Sequence, residues 1–81
     1  MPDRLRVSKR KLVGTKRTLR ALKEDDVLVC YLAQDAEPRI LEPLESLCKK
    51  QAVETVYIDS MKQLGRYCSI DVGAAAAAVL K

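Results

Sequence analysis

Seven consecutive apolar residues, Val27-Leu28-Val29-Cys30-Tyr31-Leu32-Ala33, constrain this chain more than any other stretch. Their length and β-branched content predict a buried strand with both faces covered. A strand of that kind needs neighbours on either side and further layers above and below it. The β-rich segment Val53-Glu54-Thr55-Val56-Tyr57-Ile58 supplies a second strand.

The stretches between these strands carry helical periods. In residues 15–23, Lys16, Arg20 and Lys23 share one face, because i, i+4 and i+7 align. Leu19 and Leu22 fall on the other side with Thr15 and Thr18. Gly14 permits positive φ or a close approach by another molecule, and Thr15 is the expected N-cap. The acids Glu24, Asp25 and Asp26 end this helix, where the macrodipole disfavours them. A second amphipathic helix fits residues 38–51, with Ile40, Leu44, Leu47 and Gln51 on one line. Leu41, Leu44 and Cys48 mark the neighbouring line. Asp35 is expected to cap it, and Pro43 predicts that residues 37–42 form a separate turn. Ser60 and Gln63 form a capping box. It opens a short helix to about Cys68, with Met61, Leu64 and Cys68 inward and Gly65 as a weak spot or a point of close packing. Residues 69–73 read as a loop with Ile70 and Val72 at alternate positions, either exposed or in the core. The alanines at 74–78 favour a helix by propensity. Small residues also suit a strand lying close beneath helices. The alternation of helix and strand argues for an α/β fold, and a final strand would complete a three-layer α-β-α sandwich.

At 81 residues the chain fits one small domain over residues 1–81. Residues 1–10 read as a frayed arm or a short helix, with a flexible basic arm expected over residues 1–8. Charge is unevenly spread: residues 1–23 hold nine Lys/Arg and one acid, whereas residues 24–81 hold six Lys/Arg and ten acids. That asymmetry makes a local positive field, for which nucleic acid is the commonest partner. An anionic membrane or an acidic protein would also answer it, but the basic segment lacks the Trp or Phe of membrane-surface helices. No apolar run reaches the ~18 residues of a membrane span. Residues 1–11 lack the apolar core of a secretory signal, so the expected location is cytoplasmic.

Catalysis has little to draw on. There is no His, so the usual base near neutral pH is missing. Glu42 and Glu45 read as surface charges. Gly14-Thr15-Lys16 looks like the end of a phosphate-binding loop, but Lys9 stands where the preceding glycine belongs. Cys30, Cys48 and Cys68 are widely spaced and read as buried free thiols, not metal ligands. No cofactor is expected. Three tyrosines and no Phe or Trp argue against RRM or OB-type base stacking. Recognition through a basic helix start and an aliphatic loop remains.

Four segments resemble one family. Gly14-Thr15-Lys16-Arg17-Thr18-Leu19-Arg20-Ala21, Ala33-Gln34-Asp35-Ala36-Glu37-Pro38, Ser60-Met61-Lys62-Gln63-Leu64-Gly65 and Ile70-Asp71-Val72-Gly73-Ala74-Ala75-Ala76 are similar, in this order, to the ribosomal L7Ae family. They are most like its short bacterial members, which bind kink-turn RNA. The resemblance implies a four-stranded mixed sheet, with the alanine run leading into or forming the last strand. It implies a non-enzymatic, ribosome-associated or riboswitch-binding monomer that recognises tandem sheared G·A pairs. On that match Gly14 and Thr15 would approach phosphate, Lys16 and Arg17 would reach guanine edges, and Arg20 would hold backbone or base oxygen. Ile70, Asp71, Val72 and Gly73 would cap unpaired nucleotides, with Ile70 and Val72 in apolar contact. The chain departs from the family pattern in three places. Lys16-Arg17 replaces the Asn-Glu of archaeal and eukaryotic members, short bacterial members tend to have Gln at position 17, and Ser69 stands where Gly is common. An alternative is a protein-interaction domain of the same fold whose basic region docks an acidic partner.

Overall fold

A computed structural model describes residues 10–81; the arm expected over residues 1–8 lies outside them. The elements run β1 (Lys11–Val13), α1 (Thr15–Lys23), β2 (Val27–Ala33), α2 (Pro38–Lys50), β3 (Glu54–Ile58), α3 (Met61–Tyr67) and β4 (Ala76–Leu80). The four strands form one mixed sheet in the order β1-β4-β2-β3. β4 is antiparallel to β1 and β2, and β3 is parallel to β2. α1 and α2 pack together on one face, and α3 packs on β2, β3 and β4 from the other. The architecture is the α-β-α sandwich the sequence predicts.

The seven-residue apolar run is an interior strand, as its composition requires. Val29, Cys30, Tyr31, Leu32 and Ala33 are wholly buried. Leu28 departs from this because a register shift between Val27 and Val29 pushes it out, half exposed. The alanine run resolves as a strand. Ala76, Ala77 and Ala78 are wholly buried between β1 and β2, and Ala77 lies directly beside Tyr31. Small side chains there leave room for the large phenol. Five alanines are also too few to form a helix alone, so two flanking ladders override propensity. Residues 11–13 form the short strand β1 against residues 77–79.

Three local expectations change and one holds. Gly14, not Thr15, is the N-cap of α1, and no side chain caps that helix. Residues 38–50 make one continuous helix with Pro43 inside it. Pro43 forfeits the bond to the Arg39 carbonyl, but both residues lie on the exposed side, where water replaces it. Asp35 does not cap α2; its carboxylate accepts from the Met61 N–H (2.8 Å) and so caps α3. The Ser60 hydroxyl accepts from the Gln63 N–H (3.1 Å), as the capping box predicts.

All three helices end alike. Asp25, Ala52 and Ser69 adopt φ of 54°, 54° and 62°. The following N–H then returns to the carbonyl five residues back: Asp26 to Ala21, Val53 to Cys48 and Ile70 to Gly65, each at 2.9–3.0 Å. This ending normally favours glycine, yet none is used. The three glycines of the chain stand elsewhere, at 14, 65 and 73.

The three cysteines are free and buried. Burial pushes the Cys68 thiol up from its ordinary value, which keeps it protonated and inert. No group of side chains among the described residues is arranged to hold a metal. No described helix is long and apolar enough to cross a membrane.

Candidate nucleic-acid interface

Two consecutive carbonyls at the start of β4 gather three segments at one edge of the sandwich. Ala76 accepts from the Gly14 N–H (2.9 Å), and Ala75 accepts from the Ala33 N–H (2.9 Å). The start of α1 and the end of β2 are thereby held on either side of the residues that follow the 69–73 loop. Met61 completes the junction. Its N–H donates to Asp35, its carbonyl accepts from the Ala74 N–H (3.0 Å), and its Cβ would lie 3.2 Å from a Cβ built on Gly73.

The start of α1 is open. Gly14 has φ of 115°, strained for any residue with a Cβ, and among the described residues nothing lies within 4 Å of the space a Cβ would occupy. The Gly14 carbonyl accepts from Thr18 (3.0 Å), the first helical bond. The amides of residues 15–17 therefore have no helical acceptor. No acid stands in the first turn, so the positive end of the helix dipole is not neutralised. Lys16, Arg17, Arg20 and Lys23 are exposed, whereas Thr18, Ala21 and Leu22 are buried. The basic and apolar faces are those the sequence predicts. Arg20 sits one turn further along, 3.9 Å from Glu24, with its side chain 83% exposed.

The loop of residues 69–73 lies against α3. Ile70 is half-buried and packs on the core, while Val72 is 71% exposed. The two readings of this pair thus divide: Ile70 anchors and Val72 projects. Asp71 and Gly73 are exposed, and Gly14 and Thr15 are intermediate. Gly65, which the sequence marks as a weak spot or a point of close packing, explains how the loop comes so close. A Cβ on Gly65 would meet the Val72 carbonyl oxygen at 2.1 Å. Its only signal in the sequence is a glycine inside a helical segment.

An exposed cationic helix start thus stands beside an exposed aliphatic loop, on a compact mixed sheet. Residues 2–81 match the ribosomal protein L7Ae/L30e/S12e/Gadd45 family. The chain belongs to that family. An RNA-binding protein of Halalkalibacterium halodurans is 46% identical over 70 residues, covering 86% of this chain and 85% of that protein. The RNA-binding protein YbxF of Geobacillus stearothermophilus is 43% identical over 70 residues, with the same coverage of each chain. The structure of a 15.5 kD RNA-binding protein from Giardia lamblia superposes with a TM-score of 0.83 at 27% identity. That superposition covers 90% of this chain, which spans 62% of the Giardia protein. Against the L7Ae-family pattern, Ser69 at the glycine-favouring position adopts φ of 62°. The left-handed backbone is kept although the glycine is not.

Proposed function

We propose that this L7Ae-family protein is a non-enzymatic RNA-binding module that recognises kink-turns, bends flanked by tandem sheared G·A pairs. One observation carries the reading: the Ala76 carbonyl ties the uncapped, cationic start of α1 to the residues that directly follow the loop projecting Val72. Phosphate binds at the open amides after Gly14, where no side chain blocks approach. Lys16 and Arg17 donate to guanine O6 and N7. Arg20 exchanges its loose Glu24 contact for backbone or base oxygen. Val72 covers an unpaired base, supported by Ile70, with Asp71 and Gly73 completing the loop. Both side chains at 16 and 17 are donors only, so affinity falls with salt as counterions are released. The protein acts as one domain, as a cytoplasmic monomer, on ribosomal or riboswitch RNA.

The test is a gel-shift titration at fixed physiological salt. A kink-turn RNA is compared with the same RNA whose G·A pairs are replaced by Watson–Crick pairs. Tight binding to the first and a large loss on the second support the reading. Equal weak binding to both rejects it and leaves a basic patch for an acidic partner.

A further inference from the structure

The opposite edge of the sheet is built differently. Among the described residues β3 is the outer strand there, paired only with β2. The Gln34 N–H donates to the Ile58 carbonyl (2.8 Å), which sets the parity of the parallel ladder. Ile58, Val56 and Glu54 turn their backbone groups toward β2, and Thr55 and Tyr57 turn theirs outward. Proteins commonly blunt such an edge with proline, a bulge or a covering segment. β3 has no proline, and the register shift of this sheet lies between β2 and β4 instead.

A groove of about 860 Å³ runs beside this edge, between β3 and α2. Val53, Thr55 and Cys48 line it with α2 residues Glu42, Glu45, Ser46 and Lys49, and Glu54 and Tyr57 stand on the strand side. On the helix side two carboxylates, Glu42 and Glu45, therefore face one ammonium, Lys49. Tyr57, 45% exposed, donates its hydroxyl to the Glu45 carboxylate and so holds that carboxylate across the groove.

We propose that this groove receives an extended, lysine- or arginine-bearing segment of a partner protein, which pairs with the open edge of β3. Backbone bonds to Thr55 and Tyr57 supply the register. Side chains two apart in the added strand point the same way, so alternate basic residues face Glu42 and Glu45 on α2. The excess of carboxylates selects against RNA, whose phosphates they repel. The groove lies at the far edge of the sheet from β1, so occupancy does not require the RNA site. Its failure would leave the RNA reading untouched.

The test uses the full ¹⁵N-labelled chain at physiological salt. The probe is a blocked octapeptide of alternating lysine and valine, with an alternating glutamate–valine octapeptide as control. The lysine peptide is expected to shift the amide signals of residues 54–58 and 45–49 and to slow exchange of the Thr55 and Tyr57 amides. Glu42→Gln combined with Glu45→Gln should weaken binding about tenfold while the protein stays folded, as its amide spectrum outside 42–58 will show. Methylating alternate peptide nitrogens should abolish it, because strand pairing needs those donors. Shifts confined to residues 14–20, equal response to the two peptides, no shift in β3, or full binding by the methylated peptide would each overturn the proposal.

Discussion

The Val72 carbonyl oxygen lies where a β-carbon on Gly65 would be, only 2.1 Å from it. Glycine inside α3 is unfavourable for the helix by ~1 kcal/mol relative to alanine. Here it lets the 69–73 loop lie directly on the helix, and that contact presents Val72 to solvent. Gly65→Ala forces the loop away, because backbone meets backbone and no side chain can yield. The expected loss of stability is about 1–3 kcal/mol, read as a lowered midpoint in urea. RNA affinity should fall further than that of a distant variant of equal stability.

Val72 and Ile70 separate by exposure. Val72→Asp should leave the thermal midpoint unchanged, since the side chain is 71% exposed, yet should weaken RNA binding. Ile70→Asp should lower the midpoint, because Ile70 packs against the core. Equal thermal effects from the two would contradict the division between anchor and contact.

Lys16 and Arg17 are exposed at a helix start with no competing acid. Each alanine substitution should cost about 1–3 kcal/mol of kink-turn affinity if the side chain meets a guanine edge. Lys23→Ala, on the same helix but two turns away, should change affinity less. A filter-binding series at one salt concentration makes the comparison. Equal losses at all three positions would mean a diffuse field, not base contact.

The helix endings offer a stability test away from the interface. Ala52 holds φ of 54° after α2, a conformation that costs an L-residue ~1–2 kcal/mol. Glycine removes that strain but adds chain entropy to the unfolded state. Ala52→Gly should therefore stabilise by up to about 1 kcal/mol and leave RNA binding unchanged. Ser69→Gly should stabilise similarly, with any change in RNA affinity reporting on the loop itself.

Tyr57 titrates late. Its hydrogen bond to the Glu45 carboxylate pushes the phenol up to about 12, with burial and the carboxylate charge adding in the same direction. The folded value lies above the ordinary ~10 of an unfolded tyrosine. The stabilisation is thus complete below pH ~10 and is lost as pH rises toward 12. Absorbance titration near 295 nm should show a late phenol in the native protein that Tyr57→Phe removes. Glu45→Gln should move it back toward its ordinary value.

Much of this protein is legible in local periods. The apolar run 27–33, the divided faces of α1 and the Ser60 capping box need only neighbours in sequence, because they express helix and strand geometry. The cationic start of α1 and the 69–73 loop could likewise be singled out from residue type and from family resemblance. Other features depend on partners far along the chain. Alanine propensity favours a helix at 74–78, but β1 and β2 on either side make residues 76–80 a strand. Asp35 looks suited to the helix that follows it, yet its nearest unsatisfied donor is Met61, 26 residues on. Pro43 looks like a break, but it falls on the water side of α2. Gly65 looks like a flaw until the Val72 carbonyl occupies the space above it. Sequence alone determined which segments pair apolar and charged faces, since that follows from spacing along one element. Tertiary structure decided which small residues are strand, which caps reach across the fold, and which of Ile70 and Val72 projects. Those outcomes follow from space and hydrogen-bond partners supplied by other elements.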